Sequence, residues 1–234
     1  MDISKIRSYI NYTPVLENTP EQLFLQVLKK ATYLNKTQRE AVKKAFYFAD
    51  RHHAQCCRLS GELYMIHPVK VMEFLMELSP DTASLQVALL HDVIEDTPAT
   101  YEDVKKEFGT EVADLCVGLE KIGKVKYRGE DRNIETLKKT FLAMSKDLRV
   151  IFIKLADRIH NIQTLHYHPK LEKRKRIAEE TLKIFVPIAK RLGLYVFQGL
   201  LENGAFYQLY PKEYKRISDW LDKKYGDVDR FKRE

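Results

Sequence analysis

Cysteine is scarce, and the three present make no framework: Cys56 and Cys57 are adjacent and Cys116 is remote. That spacing excludes a disulfide-stapled secreted module and a zinc ribbon, and it fits a reducing cytoplasm. Long apolar runs are missing, none approaching the roughly 20 residues that cross a bilayer. The opening Met1-Asp2-Ile3-Ser4-Lys5 lacks the basic-then-apolar design of a secretory signal. Glycine is limited to nine residues, and those at Gly61, Gly109, Gly123 and Gly193 fall between segments of helical spacing. No Asn-Gly hairpin turn, Gly-rich phosphate loop, zinc-finger spacing, internal repeat or low-complexity tract occurs.

What is present is a 234-residue chain with 44% hydrophobic and 31% charged residues, the balance of a globular protein with a real core. Lys and Arg outnumber Asp and Glu by 40 to 33, a formal charge of +7. An excess of that kind draws anions, whether nucleic acid, a lipid surface or a phosphorylated small molecule. Charge alone does not choose among them, and a solvated basic surface is the bland reading. No signature supports a nucleic-acid or membrane partner, and neither is expected. Oligomeric state is not fixed by the sequence.

Apolar residues recur with helical rather than alternating spacing, predicting an all-α fold of roughly eight to eleven helices. The clearer spans are about 20–33, 37–56, 68–78, 82–95, 101–107, 110–120, 133–145, 147–165, 171–192 and 211–224. The segment 121–132 reads as a polar, basic connecting loop, and the charged tail from Tyr225 reads as a fraying end. One compact domain over 1–193, with a small helical extension over 194–234, is the economical division.

Chemistry concentrates in three stretches. His91-Asp92-Val-Ile-Glu95-Asp96 follows the apolar run Leu85–Leu90. At about 100° per residue on a continuous helix, its four polar side chains share an arc of roughly 140°. Three carboxylates and an imidazole cannot line a buried strip cheaply unless a cation or solvent compensates them. In the second stretch, Asp157, Asn161 and Thr164 lie at i, i+4 and i+7, with Leu155, Ile159 and Ile162 opposite. In the third, Tyr64-Met-Ile-His67-Pro68 sets a histidine at a helix start. His67, His91, Asp92 and Asp157 thus form a two-imidazole, two-carboxylate set. Mixed nitrogen and oxygen donors suit Mn, Fe, Co or Zn over Ca or Mg. Four protein ligands also leave coordination positions for water and substrate. A lone His-Asp dipeptide would mean little; the coincidence of all three stretches carries the reading. His52 and His53, which have no matching partners, read as surface or local packing.

These motifs resemble one family. Arg58-Leu-Ser60-Gly61-Glu62-Leu-Tyr64-Met-Ile-His67-Pro68, His91-Asp92-Val-Ile-Glu95-Asp96-Thr97 and Lys154-Leu-Ala-Asp157-Arg158-Ile-His160-Asn161 are similar to the HD hydrolase domain of the RelA/SpoT (Rel) proteins. Supporting words include Phe108-Gly-Thr-Glu-Val, Lys121-Ile-Gly-Lys, Ala143-Met-Ser-Lys-Asp-Leu-Arg149-Val and Arg191-Leu-Gly193. The likeness spans about residues 20–215.

The resemblance implies an HD-type helical bundle. It implies hydrolysis of the 3′-pyrophosphate of ppGpp or pppGpp to GDP or GTP plus pyrophosphate, with Mn²⁺ as cofactor. By position, His67, His91, Asp92 and Asp157 would hold the metal, and Glu95 and Asp96 would orient or deprotonate the attacking water. Arg58 would pack on guanine, with Ser60, Asn161 and Thr164 as further substrate contacts. Lys139 and the basic residues near Lys126 would meet phosphates. Two departures stand out: Leu59 replaces a lysine and Leu63 a proline, which implies a differently tuned base side. No synthetase motif is found, and residues 194–234 resemble the connector ahead of a synthetase. The rivals are an HD phosphohydrolase for another nucleotide, such as a dNTP or NADPH, and a non-catalytic alarmone-binding module.

Overall fold

The computed structural model describes residues 14, 19–54, 56–123, 138, 142 and 146–225. They are helical almost throughout. Among them the only extended pairing is an isolated antiparallel bridge between Cys57 and Leu63. The all-α expectation holds, and no described helix is long and apolar enough to cross a membrane. The chain forms two compact units, which divide between His160 and Asn161. The boundary expected at 193/194 falls inside the second unit.

The first unit begins with α1 (Pro20–Lys30) and α2 (Lys36–His52). Each opens on a reciprocal cap: Thr19 with Gln22, and Asn35 with Gln38. Between them, the Arg39 guanidinium donates to the carbonyls of Leu28, Ala31 and Leu34 at 3.0, 2.6 and 3.2 Å. It thereby adds a second donor to the Leu28 and Ala31 carbonyls, which already accept from the Ala31 and Leu34 amides, and ties the end of α1 to the turn before α2.

Helix α3 (Ile66–Leu75) continues into a 3-10 turn, Met76–Leu78. Helix α4 (Thr82–Leu90) is capped by Asp81 and buries Leu85, Val87, Ala88, Leu89 and Leu90 completely. A helix apolar on every side belongs at the centre, and α4 packs against α2, α3 and α7 (Thr110–Gly123). Helix α6 (Tyr101–Phe108), with a Thr100–Asp103 capping box, precedes α7. Helix α7 is longer than expected, so the backbone of residues 121–123 is helical rather than part of the loop. The remainder of that loop, including Lys126, lies outside the described residues, as does most of the span 133–145.

Helix α8 (Arg149–Gln163) starts at a charge knot. Arg149 pairs with Asp147 at 2.6 Å, Asp81 at 2.8 Å and Glu111 at 2.7 Å, joining the starts of α4, α7 and α8.

The span expected as one helix over 82–95 is interrupted. It stops at Leu90, turns through His91 and Asp92, and resumes as α5 (Val93–Asp96). The cause is local: the His91 ring turns back so that Nδ1–H donates to the Ala88 carbonyl at 2.9 Å. The Asp96 amide then returns to the Asp92 carbonyl at 2.8 Å.

In the second unit, the expected helix over 171–192 is α9 (Leu171–Glu180) and α10 (Val186–Arg191), separated by a π turn over Thr181–Phe185. Pro187 accounts for it: a proline cannot donate to the preceding turn and its ring needs room there. Helix α11 (Tyr195–Leu209), not among the clear sequence spans, precedes α12 (Pro211–Tyr225). Gly204 lets α11 close on Ile162, where a β-carbon would stand 2.7 Å from the isoleucine methyl. Counting α4–α5 and α9–α10 each as one interrupted helix gives ten among the described residues, within the expected range.

Candidate metal centre

The site is built where α3, the α4–α5 turn and α8 meet inside the first unit. His67 lies in the first turn of α3, where Pro68 costs no hydrogen bond because first-turn amides have no helical partner. His91 and Asp92 occupy the turn itself, and Asp157 sits on α8. His67 and His91 are buried with Asp157, while Asp92 is half-buried.

Their tips converge. His67 Nε2 lies 3.2 Å from His91 Nε2, 3.3 Å from Asp157 Oδ1 and 3.6 Å from Asp92 Oδ2. His91 Nε2 is 3.1 Å from Asp92 Oδ2 and 3.9 Å from Asp157 Oδ1. Ligand atoms of His67, His91 and Asp157 all lie within 4.8 Å of one another. A cation with bonds of about 2.0–2.2 Å holds neighbouring ligand atoms about 2.8–3.6 Å apart in octahedral or tetrahedral geometry. The observed spacings sit close to that range, so the donor set fits a single divalent ion in both chemistry and size.

Electrostatics supports the same assembly. Burial and the nearby Arg58 charge push the His67 imidazole down to about 4. Burial disfavours the charged form of His91 too, but the adjacent Asp92 carboxylate, with help from Asp157, outweighs it and raises the imidazole to about 9. Asp92 and Asp157 are both held below the usual carboxylate range. Burial opposes this, and His91 (for Asp92) and Lys154 (for Asp157) overcome it. With no ion, a proton on His91 supplies part of the positive charge that two carboxylates require.

Several supporting residues carried no role in the sequence reading. Lys154 Nζ holds Asp157 Oδ2 at 2.7 Å, leaving Oδ1 for the centre. The Tyr64 hydroxyl is 2.7 Å from both Asp92 Oδ2 and Asp96 Oδ2, so one hydrogen is shared between two acceptors. Burial and the two carboxylates drive that phenol well above its ordinary range. The buried His53 stacks on the Tyr64 ring at 4.3 Å, which makes it local packing, as expected. Fully buried His160 meets His67, Nδ1 to Nδ1, at 2.8 Å. The Lys154–Asp157 spacing of i, i+3 was a visible signal; the other pairs span too much chain to be read.

Glu95 and Asp96 were expected on a strip continuous with the ligands. Because the helix breaks, they lie on α5 as exposed side chains, and Asp96 reaches the cluster through Tyr64.

Arg58 and Ser60 belong to a tight turn closed by Arg58 N–H to the Glu62 carbonyl at 2.9 Å. Gly61 there has φ of +86°, a backbone that side-chain-bearing residues resist. The Ser60 hydroxyl is fixed by buried Glu62 at 2.7 Å. Arg58 is near enough for its charge to bear on both His67 and His160. Leu59, one of the two departures, is 66% exposed. Asn161 and Thr164 lie in the second unit, on the last turn of α8 and just after it. Lys139 lies outside the described residues.

Residues 45–195 match the family model described as HD domain. The chain belongs to the HD domain family. Among curated proteins, it is 42% identical over 195 residues to a guanosine-3′,5′-bis(diphosphate) 3′-pyrophosphohydrolase from Aquifex aeolicus. The match covers 83% of this chain and 28% of that protein. It is 45% identical over 189 residues to the bifunctional (p)ppGpp synthase/hydrolase SpoT of Escherichia coli, covering 80% and 27%. The RelA/SpoT resemblance is thus borne out, and the chain spans a little over a quarter of the length of these relatives. A solved structure of a metazoan SpoT ortholog, described as hydrolysing ppGpp, superposes with a TM-score of 0.53 at 23% identity. It covers 83% of this chain and 98% of that one, and it supports the HD helical fold.

Proposed function

We propose that this chain is a Mn²⁺-dependent pyrophosphohydrolase that removes the 3′-pyrophosphate from ppGpp and pppGpp. The observation that carries the reading is the convergence of two imidazoles and two carboxylates at metal-ligand spacing within a chain of the HD domain family. The names of the bacterial relatives supply the substrate.

In this reading His67, His91, Asp92 and Asp157 hold the ion. Bound there, Mn²⁺ would lower the pKa of water and offset charge on a phosphoryl oxygen. Glu95 and Asp96 orient the attacking water and accept its proton. The water oxygen joins the phosphorus attached to the 3′ oxygen, the bond between that phosphorus and the 3′ oxygen breaks, and the proton taken up by the carboxylates passes to the 3′ oxygen, giving the free hydroxyl and pyrophosphate. Tyr64 holds Asp96 against the ligand Asp92. Arg58 stacks on guanine, as a planar guanidinium does well, and Ser60, Asn161, Thr164 and Lys139 contact the nucleotide. The basic excess draws in a polyanionic substrate. Residues 1–193 act as the hydrolase domain and 194–234 as a connector-like extension, a division supported by the family match ending at residue 195. The chain works in the cytoplasm on a guanine nucleotide, without a nucleic-acid or membrane partner.

Pyrophosphate release from ppGpp should require Mn²⁺ and disappear with a chelator. Metal-loaded protein that leaves ppGpp intact would refute the activity. Faster turnover of a dNTP or NADPH in the same assay would reassign the substrate, and the exposed Leu59 beside Arg58 makes that comparison worth running.

A further inference from the structure

Two histidines face the proposed ion, and each must present a bare Nε2. A neutral imidazole has one N–H and one lone pair, so the other ring nitrogen, Nδ1, must then carry the hydrogen. For His91 this is settled by the main chain. Its Nδ1 lies 2.9 Å from the Ala88 carbonyl oxygen, which can only accept. At His67 the Nδ1 instead meets Nδ1 of His160 at 2.8 Å. Two lone pairs, or two N–H groups, cannot face each other at that distance, so a single hydrogen lies between them.

We propose that His160 is a positioning residue, accepting the Nδ1 hydrogen of His67 and so aiming the His67 Nε2 lone pair at the metal centre. His160 then carries its own hydrogen on Nε2. The inference rests on the proposed metal-binding role of His67.

Three features favour this device. His160 is fully buried, so no bulk water replaces it as acceptor. It follows Asp157 by three residues on α8, which brings one proposed ligand and the support of another from the same face of one helix. The His67 and His160 ring centroids lie 5.0 Å apart, the separation that nitrogens bonded edge to edge give, and the rings are tilted at 38° rather than stacked. Partners of this kind, which orient a metal-bound histidine from behind, typically change metal affinity 10- to 100-fold when removed. Most are carboxylates or carbonyls; here the acceptor is a second imidazole, which can be substituted without touching any proposed ligand.

The test uses the full chain. Mn²⁺ affinity is measured by calorimetry for wild type, His160→Leu and His160→Asn, beside steady-state ppGpp hydrolysis. Nitrogen-15 spectra of the histidines are recorded with diamagnetic Zn²⁺ bound. The leucine should bind Mn²⁺ about 10- to 100-fold more weakly. Asparagine places an amide oxygen near the lost Nδ1 and should recover most of the affinity. In wild type, the spectra should show His67 protonated at Nδ1 and His160 at Nε2. The opposite tautomers, or full Mn²⁺ affinity in His160→Leu, would overturn the proposal while leaving the hydrolase reading intact. Wild type that binds no metal would overturn both. If the leucine variant does not fold, the wild-type spectra decide alone.

Discussion

The helices that frame the first unit differ from the elements that carry its chemistry. Helices α1, α2, α4 and α6 each begin at a side-chain cap: Thr19, Asn35, Asp81 and Thr100. Helix α3, which bears His67, and α5, which bears Glu95 and Asp96, have none. A cap contributes about 1 kcal/mol from neighbours in sequence. The frame is therefore specified locally, whereas the site elements are held by contacts from elsewhere: Tyr64 on Asp92 and Asp96, Lys154 on Asp157, and His160 on His67. Stability and function should accordingly come apart under mutation.

The largest separation is expected for Asp92→Ala. It should lower Mn²⁺-dependent pyrophosphate release by on the order of a thousandfold or more. Because the Asp92 side chain caps no helix, the far-ultraviolet circular dichroism should move little. A variant that unfolds would erase the distinction drawn between frame and site.

Lys154→Met sits on the boundary between the two. It strips Asp157 of its cation and should cost about 3 kcal/mol in metal-free protein, read from urea unfolding. Mn²⁺ should restore part of that loss, since the ion replaces the missing charge. A loss that Mn²⁺ leaves unchanged would show that Asp157 does not face the ion.

Asp81→Ala attacks the frame alone. Removing the cap of α4 together with one arm of the Arg149 knot should cost about 1–2 kcal/mol, with kcat and KM for ppGpp unchanged. The same knot sets a pH dependence. Asp147 is held below the usual carboxylate range by its hydrogen bonds to Arg149, despite a smaller opposing effect of burial. Asp81 is lowered as well: burial opposes this, and the bonds to Ser84 and Arg149 prevail. A carboxylate with a depressed folded-state pKa contributes stability that is present above its unfolded value and lost as pH falls through the folded one. Stability measured by urea should therefore decline in acid below about pH 4, and Asp81→Ala should flatten that decline.

The smallest effect is expected at the turn proposed to contact substrate. Gly61→Ala forces a β-carbon into a left-handed backbone at a cost of about 1 kcal/mol. It should raise KM for ppGpp more than it lowers kcat, because it moves Arg58 and Ser60 and leaves the metal cluster in place.

Much of this was legible before any coordinates. Apolar period gave the helices of the frame, while the caps at Thr19 and Asn35 emerged only with the structure. The four proposed ligands stood out because a His-Asp pair beside further carboxylates cannot be an ordinary buried surface. The break at His91–Asp92 was not legible, since Leu85 to Asp96 keeps an unbroken helical spacing and only the ring's return to the Ala88 carbonyl ends the helix. Helix α11 was expected only as part of a helical extension over 194–234, without bounds of its own, because its residues are apolar around most of the circumference and leave no period to read. His160 lay in plain view within the Asp157 motif, yet nothing local distinguishes a core histidine from one that meets His67 across 93 residues.

The sequence by itself determined the helical class, the places where the framing helices begin and the identity of the donor atoms, because these follow from neighbours within a turn or two of chain. Tertiary structure alone decided that the donors meet, that Asp96 reaches the cluster through Tyr64, and that His67 is backed by another imidazole. Those are distances between residues remote in sequence, and hydrogen-bond geometry over 3 Å leaves no trace in the order of the amino acids.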